Sequence, residues 1–186
     1  MSEELRRLVQ IRAGGRVERC HCFPHHGAYS NAAHQWGVAM LMQVLWPEDF
    51  SRLVLYCLTH DVPEAWTGDT PAPVKRYSSP VKMDLDWLEG LIMKDLDLPD
   101  CESLSAEDRL KIKSCDILEL YIWSMEQVSL GNQFVSEILA ELEVFIMKRP
   151  LPSRAAELHR ELCATPWKIL PKMSGVIRTL CDGEDL

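Results

Sequence analysis

Apolar residues along this chain recur at intervals of three and four, and no segment alternates apolar and polar with a period of two. That pattern constrains the fold more than any other feature, because it calls for helices packed on helices without a sheet. After Ser30, the residues His34, Val38, Leu41 and Leu45 fall at spacings of four, three and four, on one helix face. Ser30 or Asn31 caps that helix and Pro47 follows its end. A second helix starts near Glu48 and runs through Leu53, Cys57 and Leu58 to Asp61. Pro63 then disturbs the backbone, since proline has no N–H to donate. The stretch TGDTPAPVKRYSSP, Thr67 to Pro80, reads as a loop on composition. A helix from about Val81 to Leu96 follows, with Leu85, Leu88 and Ile92 inward. Ser105-Ala106-Glu107-Asp108 has the form of a capping box with Asp in the fourth place. The helix it opens carries Leu110, Ile117, Tyr121 and Val128 on one stripe, and Gly131 ends it. Another helix spans about Asn132 to Lys148, with Val135, Leu139, Leu142 and Ile146 inward.

The reading is a compact single all-α helical bundle. Its 186 residues suit one domain, and 47 % hydrophobic residues suffice for a core. We expect the domain over residues 1–150 and a helical tail over 151–186, packed on the domain or at a homo-oligomer interface. The tail is poorly patterned; short helices are expected around Arg154 to Cys163 and Lys172 to Leu180, with Trp167 and Leu170 available for an interface. A net charge of −8 argues against a nucleic-acid polymer as partner, since that binding needs a basic footprint. A small anionic substrate stays open. The segment MSEELRRLVQIRAGG carries charges where a signal peptide needs an apolar run, and no apolar stretch approaches the ~20 residues of a membrane span. The seven cysteines are odd in number and contain no CxxC. A reducing, cytoplasmic compartment is the expectation, with no membrane partner.

The chemistry concentrates in His60 and Asp61, adjacent at a helix end. Imidazole and carboxylate both bind divalent ions, but one pair cannot fill a coordination sphere. His34 lies on the core-facing side of its helix. Asp116 lies in a row with Ile112, Leu120 and Trp123 at helical spacing. A carboxylate on such a row costs several kcal/mol unless a cation offsets it. A shared metal would account for both oddities. Taken singly, His34 fits a hydrogen-bonded core histidine, and Asp116 fits pairing with a lysine or a helix end. The joint pattern is stronger than any member.

His34, His60-Asp61 and Asp116 resemble the H…HD…D signature of HD-domain phosphohydrolases. The run from His60 to Lys75, HDVPEAWTGDTPAPVK, resembles the HDxxE…GDxPxPVK segment of YfbR-like deoxynucleoside 5′-nucleotidases and of the phage dATP triphosphohydrolases called DatZ. The resemblance covers roughly Arg16 to Phe145. It implies an HD domain and one divalent ion (Zn, Co, Mn or Mg) held by His34, His60, Asp61 and Asp116. It also implies catalytic roles for Glu64, as the acid/base group, for Asp69 of the GD turn, and for Lys75 facing the phosphate. Without the motif, Glu64 and Lys75 read as solvated side chains and Asp69 as a cap.

Upstream, relatives often carry Arg-Trp where this chain has Arg19-Cys20, and an acidic residue where it has Ala33. The resemblance implies a place near phosphate for Arg19. Base contact then falls to Cys20, His21 or Phe23 on one side and Pro73 on the other. Arg16, Arg19, His21, His25 and His26 form a cationic cluster, readable either as a solvated loop or as a polyphosphate site. The implied reaction is cleavage of the 5′-phosphate ester of a 2′-deoxynucleotide, the small-molecule partner. The basic cluster tilts it toward dATP, giving deoxyadenosine and triphosphate, in the cytoplasm of a cell that phage infection would fit. The alternatives are a deoxynucleoside 5′-monophosphatase and a non-catalytic metal-containing nucleotide-binding domain.

Overall fold

The computed structural model describes residues 1–165. The expected helices around Lys172 to Leu180 and the positions Trp167 and Leu170 lie outside the described residues. In chain order the helices are α1 (Glu3–Gly14), α2 (Asn31–Leu45), α3 (Pro47–Thr59), α4 (Glu64–Thr67), α5 (Ala72–Tyr77), α6 (Ser79–Asp95), α7 (Ala106–Ser129), α8 (Ser136–Lys148) and α9 (Ser153–Ala164). Among the described residues no strand forms, and one isolated antiparallel bridge joins Glu18 to Ser30. The all-α reading holds.

Local chemistry explains the boundaries. The Ser30 side chain accepts from the Ala33 N–H and opens α2. Pro47 starts α3, where its missing N–H costs nothing. The Ser105 hydroxyl oxygen accepts from the Asp108 N–H at 3.0 Å and donates to the Asp108 carboxylate at 2.8 Å, a cap at the start of α7. After α7, Gly131 takes φ +91°, a left-handed turn that a β-carbon disfavours.

Helix α2 packs on α3 and α7. Val38, Ala39, Met42 and Leu45 of α2 meet Leu53 and Cys57 of α3 and Ile112, Cys115 and Leu118 of α7 in the main core. Ala155 of α9 is buried in the same cluster, with Leu158 and Leu162 against it. A smaller cluster gathers Tyr29, Trp123 and Val135.

Four details depart from the sequence reading. The expected loop from Thr67 to Pro80 contains α5 and the start of α6. Prolines sit at the first turns of both helices, where they are tolerated, so their composition masks a helical turn. Leu88, expected inward, is exposed, and α6 buries Met93 instead, with Leu96 buried just past its end. Leu110 is also exposed, because α7 turns Ile112, Cys115 and Leu118 to the core. An N-terminal helix, α1, was not anticipated. Gly14 at its end lies so close to Val62 that an added Cβ would sit 2.6 Å from the Val62 Cα.

Candidate active site

The site forms where α3 breaks. His60 closes the last turn of α3, its N–H bonded to the Tyr56 carbonyl. The turn Val62 N–H to Thr59 carbonyl then reverses the chain, and Pro63 leads into α4. The Asp61 backbone is clamped from α2. Asn31 Nδ2 donates to its carbonyl at 3.1 Å, and Gln35, oriented so that its amide nitrogen donates to the Leu58 carbonyl, accepts from the Asp61 N–H at 3.1 Å.

Around this turn the ligand atoms of His34, His60 and Asp116 lie within 4.8 Å of one another. Asp61 joins them: its Oδ2 lies 3.4 Å from His60 Nε2 and 3.7 Å from His34 Nε2. Asp116 Oδ1 lies 3.1 Å from His34 Nε2. The four residues picked out from sequence therefore converge from α2, the α3 end and α7.

The tautomers follow from the partners. His60 Nδ1 faces the Cys57 carbonyl at 2.9 Å; a carbonyl only accepts, so Nδ1 carries the proton. His34 Nδ1 is in close contact with Glu119 Oε2, which also accepts from the Tyr29 hydroxyl at 2.5 Å. Both Nε2 atoms are thereby turned inward, and both are buried without a hydrogen-bond partner. Two orphaned imidazole lone pairs beside two carboxylates are a donor set that fits a divalent cation. Without an ion, burial opposes charge on His34, but the Asp116 and Glu119 carboxylates beside the ring outweigh it and hold its pKa at about 9. Burial likewise opposes the charge on Asp116, yet Lys113 and His34 keep it well below the usual carboxylate range. Bringing a cation to this cluster would release the extra proton.

Glu64, at the start of α4, is buried. Burial first, then the Asp61 charge, push its pKa up to about 8. Asn31 Nδ2 donates to its Oε2 at 2.8 Å. Arg19 Nη1 reaches Asp61 Oδ2 at 2.5 Å and Asn31 Oδ1 at 3.2 Å, and its guanidinium lies over the Tyr29 ring. Asp69 reaches the same loop from the other side: its Oδ2 accepts from the Cys20 N–H at 2.8 Å and lies 3.7 Å from His21 Nδ1. Cys20 holds φ +52°, a left-handed conformation costly for a residue with a β-carbon. That turn aims its N–H at Asp69.

Other expected residues stand apart. Lys75 lies in α5, and the carboxylate that its charge acts on is Glu89, itself bonded to Thr67 at 3.2 Å. Among the described residues no hydrogen bond or ion pair ties Lys75, Pro73 or Phe23 to the ligand cluster. Among the described residues, Arg19 is the residue of the basic loop that reaches one of the four, Asp61. His25 lies 3.5 Å from Glu18 and packs edge-on against Trp123, while the His26 backbone is tied to Gln127. Sequence reasoning missed Tyr29, Asn31, Gln35, Lys113 and Glu119. Lys113 and Glu119 carried a local signal, because each stands three residues, about one helical turn, from Asp116. An added Cβ at Gly37, one turn beyond His34, would meet Glu119 Cγ at 2.6 Å; the glycine makes room for that carboxylate.

Residues 16–86 match the family model described as HD domain. A 5′-deoxynucleotidase of Enterobacter sp. (strain 638) is 31 % identical over 94 residues, covering 44 % of this chain and 47 % of that protein. A 5′-deoxynucleotidase of Citrobacter koseri is 28 % identical over 119 residues, 57 % of each chain. The chain thus spans about half the length of the curated relatives it matches. Among solved structures, the cyanophage S-2L HD phosphohydrolase DatZ, bound to dA and one catalytic Zn2+ ion, superposes with a TM-score of 0.61. It has 18 % identity over 89 % of this chain and 99 % of that one. The PH0347 protein of Pyrococcus horikoshii gives 0.64 at 18 % identity, over 86 % and 96 %. These likenesses show the fold.

Proposed function

Because residues 16–86 match the HD-domain model, we propose that the chain is a metal-dependent hydrolase of the 5′-phosphate ester of 2′-deoxynucleotides. The observation that carries this reading is the pair of buried, unpartnered His34 and His60 Nε2 atoms beside Asp61 and Asp116. These four residues would hold one divalent ion. Bound there, such an ion supplies Lewis acidity toward a phosphoryl oxygen and makes water acidic enough to attack near neutral pH.

The chain's own residues do the rest. Arg19 presents a guanidinium at the ligand set, where it orients Asp61 and offers N–H groups to a phosphate. Glu64, with Oε2 held by Asn31, has a pKa of about 8, suited to taking a proton from water and returning it to the leaving oxygen. Asp69 fixes the turn at Cys20 and with it the position of Arg19. Lys75, whose charge acts on Glu89, is the candidate cation for the phosphate. Cys20, His21, Phe23 and Pro73 stay the candidates for base contact.

The monophosphate is the favoured substrate form. The His25 ring lies against Glu18 and Trp123, the His26 backbone is tied to Gln127, and the matched relatives are 5′-deoxynucleotidases. The dATP triphosphohydrolase reading keeps one specific support, the exposed Lys113 ammonium on Asp116, a cation available to a longer phosphate chain. Residues 1–150 form the hydrolase domain in this reading, and the tail packs on it through α9.

The test is release of product from dAMP, dGMP, dATP and dGTP with Mn2+, Co2+ or Zn2+. Chromatography distinguishes inorganic phosphate from triphosphate. Arg19→Ala should raise KM for every substrate turned over. Absence of hydrolysis with all three metals would leave the metal-containing binding domain as the reading.

A further inference from the structure

A second cluster lies away from this site, on helices that the HD-domain match does not cover. His159 and Cys163 are four residues apart on α9, on one face, and both point at Glu143 of α8. Their ligand atoms lie within 4.8 Å of one another. His159 Nε2 is 3.3 Å from Glu143 Oε1 and 3.6 Å from Cys163 Sγ, and Cys163 Sγ is 3.7 Å from Glu143 Oε1.

Those three separations carry the argument. A tetrahedral ion with a metal–sulfur bond of about 2.3 Å and metal–nitrogen and metal–oxygen bonds of about 2.0–2.1 Å holds N and O about 3.3 Å apart. It holds S about 3.6 Å from either. The cluster already has that triangle. We propose that Glu143, His159 and Cys163 form a second metal site, a thiolate-containing one that takes Zn2+ or a similar borderline-soft divalent ion.

Tyr121 of α7 supplies the support that ligating groups need. Its buried hydroxyl donates to Glu143 Oε1 at 2.5 Å and lies 3.3 Å from Cys163 Sγ, while its ring packs edge-on against His159 at 4.8 Å between centroids. Burial, then the neighbouring thiol and carboxylate, push the Tyr121 hydroxyl far up, so it stays a proton donor. It orients the carboxylate and the imidazole together. His159 is largely covered and Cys163 is exposed, so an ion can reach the cluster from solvent and keep a fourth position for water or another side chain. Binding exchanges the Cys163 S–H bond for a sulfur–metal bond, and the proton leaves to solvent. The ion then ties α9 to α8 above Tyr121. This inference is independent of the proposed hydrolysis, because none of its residues belongs to the first site.

The experiment is a Co2+ titration of the reduced full chain, followed by absorption. A thiolate bound to Co2+ gives a near-ultraviolet charge-transfer band that nitrogen and oxygen ligands do not give. The band is expected in the wild type and in His60→Ala, which cripples the first cluster. It should disappear in Cys163→Ser, whose exposed position leaves the fold intact by circular dichroism. His159→Ala should weaken the Co2+ affinity behind the band at least ~10-fold. A wild type with no such band, or a band that survives Cys163→Ser, would overturn the assignment.

Discussion

Replacing Gly37 by alanine should separate metal affinity from stability, because the one added carbon acts through Glu119 and His34. Gly37 lies inside α2, where alanine favours the helix by about 1 kcal/mol. Its Cβ, however, would sit 2.6 Å from Glu119 Cγ, against 3.4 Å or more for ordinary contact. Glu119 must then retreat by about 0.8 Å. The Tyr29 hydroxyl bond, 2.5 Å in the native arrangement, would stretch to about 3.3 Å, outside the favourable O–H···O range. Losing a hydrogen bond to a charged group costs about 1.5–3 kcal/mol. The net loss is therefore about 0.5–2 kcal/mol, and at about 2–4 °C per kcal/mol the melting temperature falls by only a few degrees. His34 loses more. Its Nδ1 partner fixes both tautomer and ring direction, and such partners typically govern metal affinity by about 10- to 100-fold. The assay is chelator-competition titration of Mn2+ and Zn2+ into wild type and Gly37→Ala, both in a Cys163→Ser background. Thermal melts with chelator present report the fold. A variant that binds metal as tightly as its parent would refute the claim that Glu119 orients His34.

Three other outcomes are expected. Gly14→Ala should lower the melting temperature by the equivalent of about 1–3 kcal/mol, because the new carbon meets Val62 backbone atoms at 2.6 and 2.8 Å that cannot move without Asp61; an unchanged melt would contradict that. Glu64→Gln should keep metal content and lose ~100- to 10,000-fold in turnover. In metal-free protein the raised Glu64 pKa contributes stability below its unfolded value of 4.5 that is lost as pH rises through about 8, so melts of the Gln variant should lack this alkaline decline. Asp108 is the opposite case. Hydrogen bonding from Arg52, against the effect of burial and with help from Ser105, lowers its pKa to about 2. Its stabilisation is present above about 3.8 and lost as pH falls through 2, and Asp108→Asn should flatten that part of an acid denaturation curve.

Local rules in the sequence determined the helices and singled out the candidate ligands. Spacings of three and four act within one turn, so the periodic segments, the Ser30 and Ser105 caps and the Gly131 stop were readable without a tertiary structure. A histidine and an aspartate placed on apolar helix rows are anomalies of local pattern as well, and His34 and Asp116 were found on that ground. The convergence of those ligands, and everything that orients them, was decided by packing. Glu119 reaches His34 across 85 residues of sequence, Arg19 reaches Asp61 across 42, and Gln127 holds the His26 backbone across 101. No periodicity encodes such a distance. The same holds for the faces of α6 and α7, where Leu88 and Leu110 fell outside the core because the neighbouring helices, not the stripe, chose the buried side. It holds also for the second cluster: His159 and Cys163 share a helical turn that the sequence shows, but Glu143 and Tyr121 come to them only because α7, α8 and α9 pack together.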